Sequence, residues 1–145
     1  MPVLVIVVLF GLAGGIAVGL QSPLASLISQ RVGVMESAFI VHFGGAVAAA
    51  LVLVTQRGGN LAQWQRAPWY ALLAGALGLV VLSAVSFSIP RVGAVPTIVL
   101  VVAGQMLISV VIDQFGLFGA EVRPMEVSRL LGIGVLCVGV WLVVR

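Results

Sequence analysis

Of 145 residues, 62% are hydrophobic and 8% charged, with a mean hydropathy of +1.31 and a formal net charge of +3. A soluble domain carries about 25% charged residues to hold its surface in water, so this composition excludes one and calls for lipid around most of the chain. The positive charge comes from seven arginines scattered singly, with no basic stripe to follow a phosphate backbone, which excludes nucleic-acid binding.

The first apolar run extends from about Val3 to Ser22, near the ~20 residues that cross a hydrocarbon core. No Lys or Arg precedes it, it is too long for a signal peptide, and no small-x-small site follows, so it is expected to stay as a span. Gly11, Gly15 and Gly19 recur every four residues and let another helix approach closely, either within the chain or across a subunit interface. Pro23 is expected to end or kink this helix, leaving Leu24 to Arg31 as a short helical segment near the surface. Gln21 lies beside that break, where exposed backbone dipoles can meet a substrate, and is a site candidate.

The second run, about Val34 to Val54, carries Glu36 in its first turn and His42 deeper in. The helix dipole favours Glu36 there. His42 is the single histidine, and an intramembrane ionisable residue near neutrality suits proton binding during a transport cycle. The two are six residues apart, about 240° around a helix, so they do not share a face.

Gly58, Gly59 and Asn60 form a turn, and Trp64, Trp69 and Tyr70 cluster as interfacial aromatics do. A third span is expected over about Trp69 to Ile89, with Ser83 and Ser86 as packing hydroxyls or pathway lining. Pro90 and Gly93 break the chain before the fourth span, about Ala94 to Phe115. There Thr97, Val101, Gln105, Ser109 and Asp113 are spaced by four and climb one side of the helix. Four of the five are polar, and such a stripe faces protein or a water-filled cavity because lipid exposure is costly. Gln105, near mid-span, serves as interhelical hydrogen-bond glue or as pathway lining. Asp113 needs a partner, with Arg129 or Arg123 the arginines at hand. The fifth span covers about Glu126 to Val144, with Pro124 suited to its first turn. Cys137, the one cysteine, can form no internal disulfide and reads as a small packing residue.

Bilayer physics makes all five runs helices, since backbone groups cannot stay unpaired in lipid. The expectation is an all-α, polytopic membrane protein, a single domain over residues 1–145. Five spans put the termini on opposite sides. The N-terminal side then holds Arg57, Arg66, Arg123 and Arg129, and the other holds Arg31, Arg91 and Arg145. Four against three gives the positive-inside rule little to act on, so the chain is expected to insert both ways round. Two inverted copies make a ten-helix dimer with the symmetry of many alternating-access transporters.

Several stretches resemble one membrane family: Gly19-Leu20-Gln21-Ser22-Pro23, Pro90-Arg91-Val92-Gly93-Ala94, Ala103-Gly104-Gln105 through Ser109, and Ile112-Asp113-Gln114-Phe115-Gly116-Leu117-Phe118-Gly119. Arg129 with Gly132 and Gly139 fits too. Over nearly its whole length the chain is similar to the YdcZ-type, half-length, five-helix branch of the drug/metabolite transporter superfamily. The resemblance implies a bacterial inner-membrane, multi-pass secondary transporter acting as a dimer, often in dual topology, on an undefined solute. The family often has Asn just after the Gln-x-Pro-Leu stretch, where this chain has Ala25, so no role of that Asn carries over. The superfamily's four-helix multidrug exporters place a carboxylate in helix one; here helix one has none.

No metal-ligand spacing, phosphate loop or Ser/His/acid arrangement stands in the sequence, so neither an enzyme nor a cofactor is expected. The partners expected are the lipid bilayer, an inverted second copy and a small solute. The rival classes are an accessory membrane subunit and a passive channel.

Overall fold

The computed structural model describes residues 2–145. Five long helices organise the chain: α1 Pro2–Val32, α2 Val34–Thr55, α3 Ala74–Val92, α4 Ala94–Phe115 and α5 Val127–Val144. Short 3₁₀ turns at Leu61–Arg66, Ala71–Leu73 and Leu117–Gly119 fill the longer connections. Among the described residues there is no strand, and five helices are long and apolar enough to cross a membrane. That is the arrangement in which every span satisfies its own backbone.

Two prolines do not do what the sequence predicts. Helix α1 runs on through Pro23 to Val32, with no separate surface segment from Leu24 to Arg31, and α3 runs through Pro90 to Val92. A proline forfeits one backbone bond, whereas leaving the helix within a bilayer orphans a whole turn of them. Beyond Pro23 the chain is held by packing: Ala25 and Ser26 are buried, and Ser37 of α2 donates its hydroxyl to the Ala25 carbonyl at 2.7 Å. Gln21 therefore lies in continuous helix, exposed, and not at a break. Pro124 stands before α5, which opens at Val127, and not in its first turn.

The interruptions fall on glycine. Gly33 separates α1 from α2 with φ 112° and ψ 159°, and Gly93 separates α3 from α4 with φ 90° and ψ 168°. Both conformations belong to glycine. At Gly33 the hydrogen bonding hardly notices the break: its N–H donates to the Ser29 carbonyl at 2.9 Å, and its carbonyl accepts from Ser37 N–H at 3.0 Å.

A single domain is expected from the sequence; the helix contacts divide the chain into two compact units, Met1–Pro90 and Arg91–Arg145. Helices α1 and α2 pack together in the first, and α4 and α5 in the second. Eight of the described residues are buried, and five of them carry a hydroxyl: Ser22, Ser26, Ser37, Ser86 and Thr97. Among the described residues no core of large apolar side chains exists to drive this packing. Small residues and hydroxyls bring the helices close instead, as suits association in lipid.

Candidate functional site

The most elaborate polar arrangement is built where α4 ends and α5 begins. Helix α4 stops at Gly116, whose φ of 61° and ψ of 35° make it a left-handed cap. A Cβ there would stand 2.7 Å from the Val122 side chain and 3.1 Å from the Ala120 carbonyl, so the site admits only glycine. The loop then folds back on the helix end. Arg123 N–H donates to the Asp113 carbonyl at 2.8 Å, and Met125 N–H donates to Gln114 Oε1 at 2.9 Å. These bonds occupy groups a helix terminus leaves open.

The same fold-back gathers charge. Arg129 Nη1, in the first turn of α5, donates to Asp113 Oδ2 at 3.4 Å, with both side chains about two-fifths exposed. A pair this long and this exposed contributes about 0–1 kcal/mol, so it orders the site more than it stabilises the fold. Arg123 donates to Glu121 Oε2 from Nη2 at 2.9 Å and from Nε at 3.3 Å. That hydrogen bond, followed by the attraction of the Glu121 charge, raises the Arg123 pKa above its ordinary value and keeps the side chain cationic.

Between these groups lies a cavity of about 300 Å³, with Met106, Val110 and Ile133 as apolar walls and Ser109, Asp113, Arg123 and Arg129 as polar ones. The α4 stripe thus divides. Ser109 and Asp113 line the cavity, and Ser109 donates its hydroxyl to the Gln105 carbonyl at 2.7 Å. Gln105 is exposed further along the helix. Thr97 is buried and donates to the Gly93 carbonyl at 2.8 Å.

The remaining candidates belong to the first unit. His42 Nδ1 lies 2.8 Å from the Ala38 carbonyl, one turn back, and donates to it in the Nδ1-protonated tautomer. Its Nε2 faces α3 at a notch: a Cβ at Gly78 would sit 2.6 Å away. Glu36 folds its carboxylate back over Gly33, away from His42. Ser83 and Ser86 on α3 bury their hydroxyl oxygens without a hydrogen-bond partner from the described residues. The glycines of α1 stand open, since a Cβ at Gly11, Gly15 or Gly19 meets nothing within 4 Å.

Sequence reasoning missed the capping roles of Gln114 and Arg123 and the cavity they enclose. The available signal was the pair Gly116 and Gly119 directly after a polar helix end.

Five helices long and apolar enough to cross a membrane, packed through small residues and hydroxyls, define a polytopic membrane protein. The chain belongs to the family described as "Putative inner membrane exporter, YdcZ", whose model matches residues 6–142. It is 30% identical over 141 residues to inner membrane protein YdcZ of Escherichia coli (strain K12), covering 94% of this chain and 93% of that relative. No solved structure matches it. The chain is thus a multi-pass inner-membrane protein of a transporter family, which is not an enzyme class.

Proposed function

We propose that the chain is a secondary transporter of a small solute, working by alternating access as an antiparallel, dual-topology homodimer. The observation that carries this reading is the polar stripe of α4. Gln105 and Ser109 lie within a membrane helix and are exposed in the single chain. Lipid is a costly neighbour for them, and a facing helix set with a water-filled path between the two removes that cost. The near-equal arginine count on the two sides lets the second copy insert inverted, which supplies the symmetry alternating access uses. The open stripe of Gly11, Gly15 and Gly19 offers a second helix a close approach.

In this reading Gln21, Ser83, Ser86, Thr97, Gln105, Ser109 and Asp113 border the solute path, and the Asp113–Arg129 pair holds its mouth in shape. Proton coupling runs through His42 or Glu36. His42 is already oriented by Ala38 and lodged at Gly78, and an imidazole can both take up and release a proton.

Two measurements test this. With Cys137→Ala and one cysteine placed at Asn60→Cys, a membrane-impermeant thiol reagent should label about half of the protein from outside intact cells. Labelling from one side only removes the antiparallel homodimer. In liposomes, saturable counterflow marks a carrier, fast unsaturable flux a channel, and no flux an accessory subunit. Solute-driven proton flux should vanish in the Glu36→Ala, His42→Ala double variant; full coupling there removes the proton role.

A further inference from the structure

We propose that the cavity between α4, the 116–126 loop and α5 binds the anionic head of an amphiphile, a carboxylate or phosphate with an apolar tail, and that Asp113 is the internal counter-ion this head displaces. That the bound molecule is cargo rests on the transport reading above; that it binds does not.

The donors are in place and underused. Arg129 commits Nη1 to Asp113 and, among the described residues, makes no other hydrogen bond, while its guanidinium has five N–H groups to offer. Arg123 commits Nε and Nη2 to Glu121, leaving Nη1 uncommitted. Each guanidinium has one carboxylate partner, Glu121 for Arg123 and Asp113 for Arg129, and each keeps N–H groups free for a further oxyanion. Forked N–H pairs suit an oxyanion's two oxygens better than a point charge does.

The internal carboxylate is loosely held. Charge-assisted N–H···O bonds run to about 2.7–2.9 Å, whereas the Arg129–Asp113 contact is 3.4 Å with both partners partly open to solvent. A ligand oxyanion that reaches 2.8 Å on the same guanidinium gains what Asp113 leaves unused. The rest of the cavity selects the tail. Met106, Val110, Met125 and Ile133 present apolar surface, two of them thioethers that adapt to an irregular chain. A volume of about 300 Å³ accepts a head and several methylenes. The position suits such a ligand, because the cavity lies at a span's end, where head and tail have different solvents.

The head has two possible sources, an anionic phospholipid of the bilayer or a soluble amphiphilic acid. The test is calorimetry with the full chain in phosphatidylcholine nanodiscs, using octanoate and octyltrimethylammonium as probes and empty nanodiscs as blank. Octanoate is expected to bind at least tenfold more tightly than the cation. Arg129→Gln should weaken octanoate about tenfold or more, and Asp113→Asn should tighten it severalfold by removing the internal competitor. A gain of affinity cannot come from misfolding, so the second variant protects the first. Equal binding of the two probes, or no tightening in Asp113→Asn, overturns the proposal. Adding phosphatidylglycerol to the nanodiscs separates the sources: competition with octanoate assigns the site to lipid, and its absence assigns it to a soluble acid. Binding without octanoate counterflow leaves this site standing and counts against the transport reading; counterflow of other solutes without octanoate binding does the reverse.

Discussion

Arg31-Val32-Gly33 joins α1 to α2, and Arg91-Val92-Gly93 joins α3 to α4. Each glycine has positive φ, and each is followed four residues on by a buried hydroxyl, Ser37 or Thr97. The same shift of 60 residues, Arg31 to Arg91, lays Ala25 on Val85 and Ser26 on Ser86, all four buried. From there the two regions part. At the first, Ser37 reaches across to the Ala25 carbonyl at 2.7 Å, and Gln30 Nε2 donates to Ser26 Oγ at 3.4 Å. At the second, Thr97 turns back on the Gly93 carbonyl of its own helix, and Ser86 has no partner among the described residues. Pro90 stands where Gln30 stands in the first. One junction closes on itself, and the other leaves the buried Ser86 hydroxyl without a partner among the described residues.

Backbone substitution should separate the junctions most. Gly33 sits at φ 112° and ψ 159°, a region other residues reach at a cost of about 1–3 kcal/mol, and a Cβ there runs into the Glu36 carboxylate. Gly33→Ala is expected near the top of that range. At Gly93 the nearest atom to a new Cβ is Pro96 Cδ at 3.8 Å, an ordinary contact, so Gly93→Ala carries the backbone term alone. Thermal unfolding in detergent, followed by circular dichroism, should show the larger fall in midpoint for Gly33→Ala. Equal falls would mean that Glu36 yields freely and the first junction is no tighter than the second.

The hydroxyls come next in size. Ser37→Ala removes a buried bond between two helices, worth about 1 kcal/mol, with double-mutant values in membranes nearer 0.6 kcal/mol. Thr97→Val keeps shape and removes a bond to the carbonyl one turn back, so its effect on the same midpoint should be smaller. A larger effect at Thr97 would break the comparison, since it would give the second junction a load-carrying hydroxyl of its own.

The five spans are legible because predominantly apolar runs of 18–30 residues leave a bilayer no other use for them. Where α1 and α3 stop is not. Pro23 and Pro90 read as breaks by the rules of water, where an interrupted helix can hand its backbone to solvent. In lipid the continuing helix wins at both prolines, and the breaks fall at Gly93, which the sequence offers beside Pro90, and at Gly33, which it does not. The site divides the same way. An aspartate inside a span calls for an arginine, and Arg129 follows Asp113 across one short loop. Its closing bonds depend on where residues 116–126 fold back, which is set partly by Phe118 at φ 58°, a conformation its residue type does not foretell. The capping bonds of Gln114 and Arg123 could not be read from the sequence for that reason.

The smallest stability change carries the sharpest functional reading. A buried hydroxyl without a partner is destabilising by about 1–3 kcal/mol relative to a satisfied one, so deleting it need not weaken the fold. Ser86→Ala is expected to leave the unfolding midpoint unchanged or slightly raised, whereas Ser26→Ala, losing the Gln30 contact, should lower it. Pro90→Gln restores the amide that the first junction has at Gln30 and should raise the midpoint by an amount that Ser86→Ala abolishes in the double variant. If Ser86 serves the solute path, both substitutions should slow counterflow despite an intact fold, one by removing the hydroxyl and the other by occupying it. Unchanged counterflow in both would reduce Ser86 to a packing residue and make the two junctions alike in purpose, however differently they are bonded.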